Sequence, residues 1–178
     1  PKTIYLGRLE GVGDLLLISP TIVALREKFP QAEITFGCFK GVYYDIIAND
    51  PNIDKFDFPR HAFIKPKSKN VIKYIVRTLS YLKNRFLYNM RYDLVIFFYN
   101  YSREWNTRKH MIDQFSACAE VLLNKRRPII YLNEEDISQA KNLLKKAGIQ
   151  EDEKFIVLAC ETGAKSVSPE KHDPRAWD

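Results

Sequence analysis

Thr3-Ile4-Tyr5-Leu6 runs through Gly7 into Arg8-Leu9-Glu10-Gly11-Val12-Gly13-Asp14-Leu15-Leu16-Leu17, and that join decides the fold. A short apolar strand gives way to a glycine-lined turn and then to an apolar helix-forming run, the opening of a β-α unit. Gly11 and Gly13 allow positive φ and close approach of another molecule to the backbone. Asp14 is thereby presented at the C-terminal end of a strand, where open α/β sheets bind ligands.

Working outward, strand and helix alternate. Ser19 reads as a helix N-cap with Pro20 at the first helical position, and Pro30 as the stop. Ala32 to Cys38 reads as a second strand, Tyr43 to Ala48 as a short helix, and Asn49-Asp50-Pro51-Asn52 as a turn before a third strand near Lys55 to Phe58. A basic helix follows, then the strongest strand, Asp93-Leu94-Val95-Ile96-Phe97-Phe98. A helix from about Lys109 to Leu123, a strand at Ile129 to Leu132 and a helix from Glu134 to Ala147 stopped by Gly148 complete the series. Near-continuous apolar strands alternating with helices imply an α/β, Rossmann-like doubly wound parallel sheet.

The end of the chain departs from this pattern. Gln150 to Lys154 reads as a charged linker, Phe155 to Cys160 as a new buried strand, and Glu161-Thr162-Gly163-Ala164-Lys165 as the turn of another β-α unit with no helix after it. The expected organisation is a first domain over residues 1–149 and the start of a second over 150–178.

Composition narrows the function. The 178 residues are 46% hydrophobic, enough to close a core, and no apolar run reaches the roughly 20 residues that cross a bilayer. The chain enters a strand without a secretory signal, so the expected location is cytoplasmic. Cys38, Cys118 and Cys160 are widely separated and read as buried free thiols, and the scattered histidines suggest no metal site. Of the net charge of +6, nine Lys or Arg residues and no Asp or Glu lie between Phe58 and Tyr92. Ile72, Ile75, Val76, Leu79, Leu82 and Phe86 recur there at helical spacing, with Lys69, Lys73 and Arg77 four apart on another face. That segment is a solvated helix face or a docking surface for something anionic.

Several classes are disfavoured. The turn lacks the third glycine of a dinucleotide-binding Gly-x-Gly-x-x-Gly and puts a carboxylate where a pyrophosphate would sit; no Gly-Lys-Ser/Thr phosphate loop is present. No RNA-binding signature appears, and nucleic acid is not an expected partner.

The ordered series Arg8-Leu9, Gly13-Asp14-Leu15-Leu16-Leu17, Pro20, Leu25-Arg26, Phe29-Pro30 and Ala32-Glu33-Ile34 resembles the opening of the family 9 glycosyltransferases, the ADP-heptose:lipopolysaccharide heptosyltransferases. Asn49-Asp50-Pro51-Asn52-Ile53-Asp54 resembles the family's Asn-Pro-x-Ile-Asp turn, Tyr92 to Ile96 its central strand, His110-Met111-Ile112-Asp113 the start of its next helix, and Ile156 to Lys171 the entry to its donor domain. The resemblance implies the N-terminal half of a two-domain GT-B enzyme, with acceptor bound by this half and nucleotide sugar by the other. It implies inverting transfer of a heptose from ADP-heptose to the lipopolysaccharide inner core or its lipid A-linked acceptor. No metal is implied, and the place of action is the inner face of the cytoplasmic membrane of a Gram-negative bacterium. Asp14 would be the general base. Arg8, Gly11, Gly13, Arg60, Lys65, Lys67, Lys69 and Lys73 would meet the acceptor, and Thr162, Gly163 and Lys171 the donor diphosphate. On this reading the isolated chain is inactive, because half the cleft is missing.

The donor side departs from the family. Glu161 opposes a diphosphate, and Asp173 stands where a tryptophan is usual, with Trp177 displaced. The alternatives are a family member using another nucleotide sugar, and a non-catalytic basic α/β module that binds anionic lipid or glycan.

Overall fold

The computed structural model describes residues 1–8, 11–59, 71–98, 109–150 and 153–156. In chain order these form β1 (Thr3–Gly7), α1 (Val12–Lys28), β2 (Glu33–Gly37), α2 (Val42–Asp45), β3 (Lys55–Asp57), α3 (Val71–Arg91), β4 (Leu94–Phe97), α4 (Met111–Cys118) and α5 (Glu134–Lys146). The chain divides into two units, Pro1–Asn133 and Glu134–Asp178.

In the first unit the strands lie in the order β3-β2-β1-β4, and every pairing is parallel. Strand pleating sends alternate residues to opposite faces. On one face Ile4 and Leu6 of β1 join Ile34, Phe36 and Ile96 against Leu15, Ile18, Ile22 and Leu25 of α1 and Phe115 of α4. On the other, the fully buried Tyr5 packs with Phe97 of β4 and with Tyr88 and Tyr92 at the end of α3. Helices on both faces make the sheet doubly wound, as the alternation predicts.

Two expectations fail for one reason. The first helix starts at Val12, and Pro20 lies inside it. A proline there leaves the carbonyl of residue i−4 without its usual N–H. Here that carbonyl, on Leu16, accepts a hydrogen bond from Ser19 Oγ at 2.7 Å. Ser19 is therefore a repair within the helix, and it is buried. Ser19 Oγ in turn accepts from the Ile129 N–H at 2.8 Å. Ile129 to Leu132, expected as a strand, is tied to a side chain instead of a ladder, and Ile130 and Leu132 are exposed.

The fourth helix also ends earlier than the sequence suggests. Glu120 takes a φ of 51°, closing α4 at Cys118, and its carbonyl accepts from Lys28 Nζ at 2.8 Å. Cys118 is consequently exposed, against the expectation of a buried thiol; Cys38 is buried, and burial pushes its thiol up to about 12. Cys160 lies outside the described residues. In the second unit, Gly148 has a φ of 81°, with Ile149 N–H donating to Leu144 O and Gly148 N–H to Lys145 O, both at 3.0 Å. That is the glycine stop expected for α5. Phe155 and Ile156 are not in a strand, and the remainder of the strand expected there lies outside the described residues.

Arg26 and Asp54 tie together the starts of β2 and β3. Arg26 donates to Asp54 Oδ2 at 2.5 Å, to Ala32 O at 2.7 Å and to Asn52 O at 3.0 Å, while Asp54 Oδ2 also accepts from Ile34 N–H at 2.7 Å. Desolvation pulls the Asp54 carboxyl upward, but the Ile34 N–H and Arg26 together hold it below its ordinary value. A depressed folded value adds stability above the unfolded value near about pH 4, and that stability is lost as pH falls through the folded value. Asp54→Asn is expected to cost about 1 kcal/mol at neutral pH. Urea melts should show the gap to wild type closing as the solution is acidified; a gap that persists at low pH would refute the assignment. Among the described residues no helix is long and apolar enough to cross a membrane.

Candidate functional site

The parallel ladders end together at one edge. Arg8 N–H donates to Gly37 O at 2.9 Å, Phe98 N–H to Gly7 O at 3.0 Å and Cys38 N–H to Asp57 O at 3.1 Å. Beyond this edge Gly11 turns the chain with a φ of 92° and becomes the N-cap of α1, its carbonyl accepting from Leu15 N–H at 3.0 Å. Asp14 is then the third residue of the helix. A carboxylate at that position often turns back to the N–H of the cap residue. This one reaches instead to Arg8, whose Nη2 donates to Asp14 Oδ2, and α1 has no side-chain cap.

Arg8 is itself held. Its Nη1 donates to Phe98 O at 2.8 Å, so one guanidinium bridges the end of β4 to the start of α1. A planar fork that grips a carbonyl with one nitrogen and a carboxylate with another leaves the carboxylate little rotational freedom. The side chains of Arg8 and Asp14 are 17% and 28% exposed, so the carboxylate is oriented yet reachable from solvent. The first turn of α1 adds its positive dipole end.

The two turn glycines have different roles. A Cβ on Gly11 would stand 2.5 Å from Asp14 Oδ2, so both its φ and the carboxylate's position demand glycine. Gly13 does not have the positive φ that the sequence suggested; it is an ordinary helical residue. A Cβ there would meet nothing within 4 Å, which leaves open space beside Asp14.

Of the expected site residues, the structure brings together Arg8, Gly11, Gly13 and Asp14. Arg60, Lys65, Lys67 and Lys69 lie outside the described residues, as do Thr162, Gly163 and Lys171; Lys73 is on α3, but its side chain is not described. Sequence reading passed over Lys40. It follows β2 at the same sheet edge, is exposed, and holds Nζ 5.1 Å from the centre of the Phe58 ring. Its signal was its place just past a strand end, hidden by the larger charge run downstream. His110, in the stretch before α4, is an N-cap whose Nδ1 accepts from Ile112 N–H at 3.2 Å, which requires that nitrogen to be unprotonated. Among the described residues no group of His, Cys, Asp or Glu is placed to hold a metal ion. A cavity of about 570 Å³ opens beside β4, lined by Phe29, Leu94, Ile96 and Cys118 among others, and none of the candidate residues lines it.

No protein-family model and no curated protein matches the chain. Among solved structures it is similar to the glycosyl transferase family 9 from Veillonella parvula DSM 2008, with a TM-score of 0.57 and 16% identity, over 84% of this chain and 51% of that one. E. coli heptosyltransferase WaaC with ADP-2-deoxy-2-fluoro heptose aligns over 86% of this chain and 50% of that one at 12% identity, with a TM-score of 0.33 that carries no weight. The chain spans about half the length of the solved relatives it matches. Its fold is that of half of a family 9 glycosyltransferase.

Proposed function

We propose that this chain is the acceptor-binding half of an inverting glycosyltransferase, with Asp14 as its general base. The observation that carries the reading is the Asp14 carboxylate oriented by Arg8 at the C-terminal edge of a parallel sheet. The fold shared with a family 9 glycosyltransferase supports it. Inversion needs a base on the nucleophile's side. Asp14 takes the proton from an acceptor hydroxyl as that oxygen bonds to the anomeric carbon, and the bond from that carbon to the nucleotide diphosphate breaks with its electron pair leaving on phosphate. Arg8 positions the carboxylate, and the open space over Gly13 admits the hydroxyl.

In this reading residues 150–178 begin the donor domain, where Thr162, Gly163 and Lys171 hold the diphosphate without a metal. The donor is ADP-heptose and the acceptor a lipopolysaccharide inner core, whose acidic sugars and phosphates suit Arg60, Lys65, Lys67, Lys69 and Lys73. Incubating a protein that carries this chain and a complete donor half with a panel of nucleotide sugars, and weighing the acceptor afterwards, identifies the sugar. A heptose increment supports the finer reading. A different sugar keeps the transferase and replaces the donor, and no increment with any donor refutes the transferase.

The glycines give a second test. Gly11→Ala strains a positive φ at about 1–2 kcal/mol and pushes the carboxylate from Arg8, so both melting temperature and transfer should fall. Gly13→Ala should leave stability unchanged or raise it by up to about 1 kcal/mol. Its methyl group narrows the approach to Asp14 and is expected to raise KM for the acceptor. Equal kinetics for the two variants would contradict this geometry.

A further inference from the structure

Helix α3 turns its more polar side to the sheet and its apolar side away. Its partly buried residues are Thr78, Tyr81, Asn84 and Tyr88, spaced by three and four and so on one side. Tyr88 makes the contact, its ring centre 4.5 Å from that of Tyr5 and its hydroxyl donating to Asp57 Oδ2. On the opposite side Ile72, Ile75, Leu79, Leu82 and Phe86 are each 50% to 74% exposed, and Val71, Val76 and Met90, exposed to a similar degree, widen the face. A contiguous apolar stripe of this length on a folded domain marks an interaction surface.

Spacing, charge and area together select the occupant. From Ile72 to Phe86 the apolar residues step by three, four, three and four, the seam along which one helix packs against another. No charged residue holds a seam position. Arg85 donates to the Tyr81 hydroxyl at 3.2 Å and the Arg91 guanidinium lies 5.6 Å from the centre of the Tyr92 ring, so both cations are engaged beside the sheet and not around the apolar face. Lys83 is the described cation that helical spacing puts next to the seam, and its long stem can carry the ammonium to the rim. The face therefore offers much to an apolar partner and little to an anionic one. A second α3 brings the same seam and requires no counter-charge. The eight apolar residues leave on the order of 1,000 Å² open on each copy, at about 200 Å² for a fully exposed side chain of this size, and a standard interface takes about 800 Å² from each partner.

We infer that α3 is a dimer interface, its Ile72 to Phe86 seam packed against the same seam of a second copy of this chain. The contact is isologous, one surface serving as its own complement. The inference is independent of the transferase reading, because it concerns the side of α3 turned away from the sheet and is tested without sugar, donor or acceptor.

The test is sedimentation equilibrium of the chain over a range of concentrations. Wild type should rise with concentration from the 20.8 kDa of one chain toward twice that mass. Leu79→Glu with Leu82→Glu, both at exposed positions, should weaken the dimer at least ~100-fold while keeping the far-UV spectrum. Leu143→Glu, the same change at an exposed leucine of α5, should leave the dimer unchanged. Wild type decides the matter even if the seam variant does not fold: hydroxyl-radical labelling of Phe86 and Met90 should fall several-fold as the dimer forms, while labelling of Leu143 stays constant. A wild type that stays monomeric at every concentration, a dimer untouched by the seam substitutions or equally weakened by Leu143→Glu, or labelling of Phe86 and Met90 that ignores concentration would overturn the inference. So would a monomer that floats instead with vesicles of phosphatidylcholine and phosphatidylglycerol, which would make lipid the occupant.

Discussion

Asp14→Asn is expected to lower kcat for sugar transfer by about 10²- to 10⁴-fold while leaving the melting temperature near that of wild type. Asparagine keeps the size of the side chain, and its oxygen can still accept from Arg8 Nη2, so the bridge between β4 and α1 survives in weakened form. What it cannot do is take a proton. The loss should therefore appear in kcat, with KM for both substrates little changed, because the acceptor still meets the same open surface above Gly13. A variant with wild-type kcat would remove Asp14 from the mechanism and leave it as a partner for Arg8. A variant that loses kcat and unfolds together would point to a structural role, which circular dichroism and thermal melts separate from the chemical one.

The largest structural effect is expected from Gly37→Ala. Gly37 is paired with Gly7 across the β1–β2 ladder, and a Cβ built on it would fall 1.9 Å from the hydroxyl oxygen of Tyr5 and 2.7 Å from its ring. Tyr5 is fully buried beneath Tyr88, Tyr92 and Phe97, and its hydroxyl lies 3.3 Å from Asp57 Oδ2. Burial holds that phenol far above its ordinary value, so it remains protonated throughout the working range. The ring has no room to yield without disturbing the contact between α3 and the sheet. Such overpacking costs about 2–3 kcal/mol. For a chain of this size that corresponds to a fall in melting temperature of about 5–10 °C. Adding Tyr5→Phe should recover part of the loss, since the closest atom is removed while the ring remains. An unchanged melting temperature for Gly37→Ala would refute the close packing of Tyr5 on this strand.

The framework was legible because it rests on local rules. Alternating apolar runs and turn signals located β1, β2, β3 and β4 to within about a residue or two. Gly148 announced the end of α5 through its freedom at positive φ. Asp14 was legible through its place behind β1. Its partner Arg8 was read as an acceptor contact beside the base and not as the carboxylate's own partner, because pairing across a turn depends on where the carbonyl of Phe98 lies, a contact ninety residues away.

Other elements were settled by contacts that no local rule contains. Pro20 argued for a helix start, and the Ser19 hydroxyl overrode it by serving Leu16. Ile129 had strand composition, yet its N–H went to that same hydroxyl. The periodicity of α3 showed that one side is apolar, but periodicity cannot say which side is turned in; Tyr88 and Asp57 decided that. Arg26 and Asp54, which entered as parts of a resemblance, have a structural role that is plain only when β2, α1 and the turn after α2 are seen together.

The measurement that bears most directly on the account is the intact mass of the acceptor after incubation with nucleotide sugar, taken side by side for wild type and Asp14→Asn in a protein that includes a complete donor half. The account predicts an added sugar mass with wild type and its near-complete loss in a folded variant. An equal increment in both would contradict it.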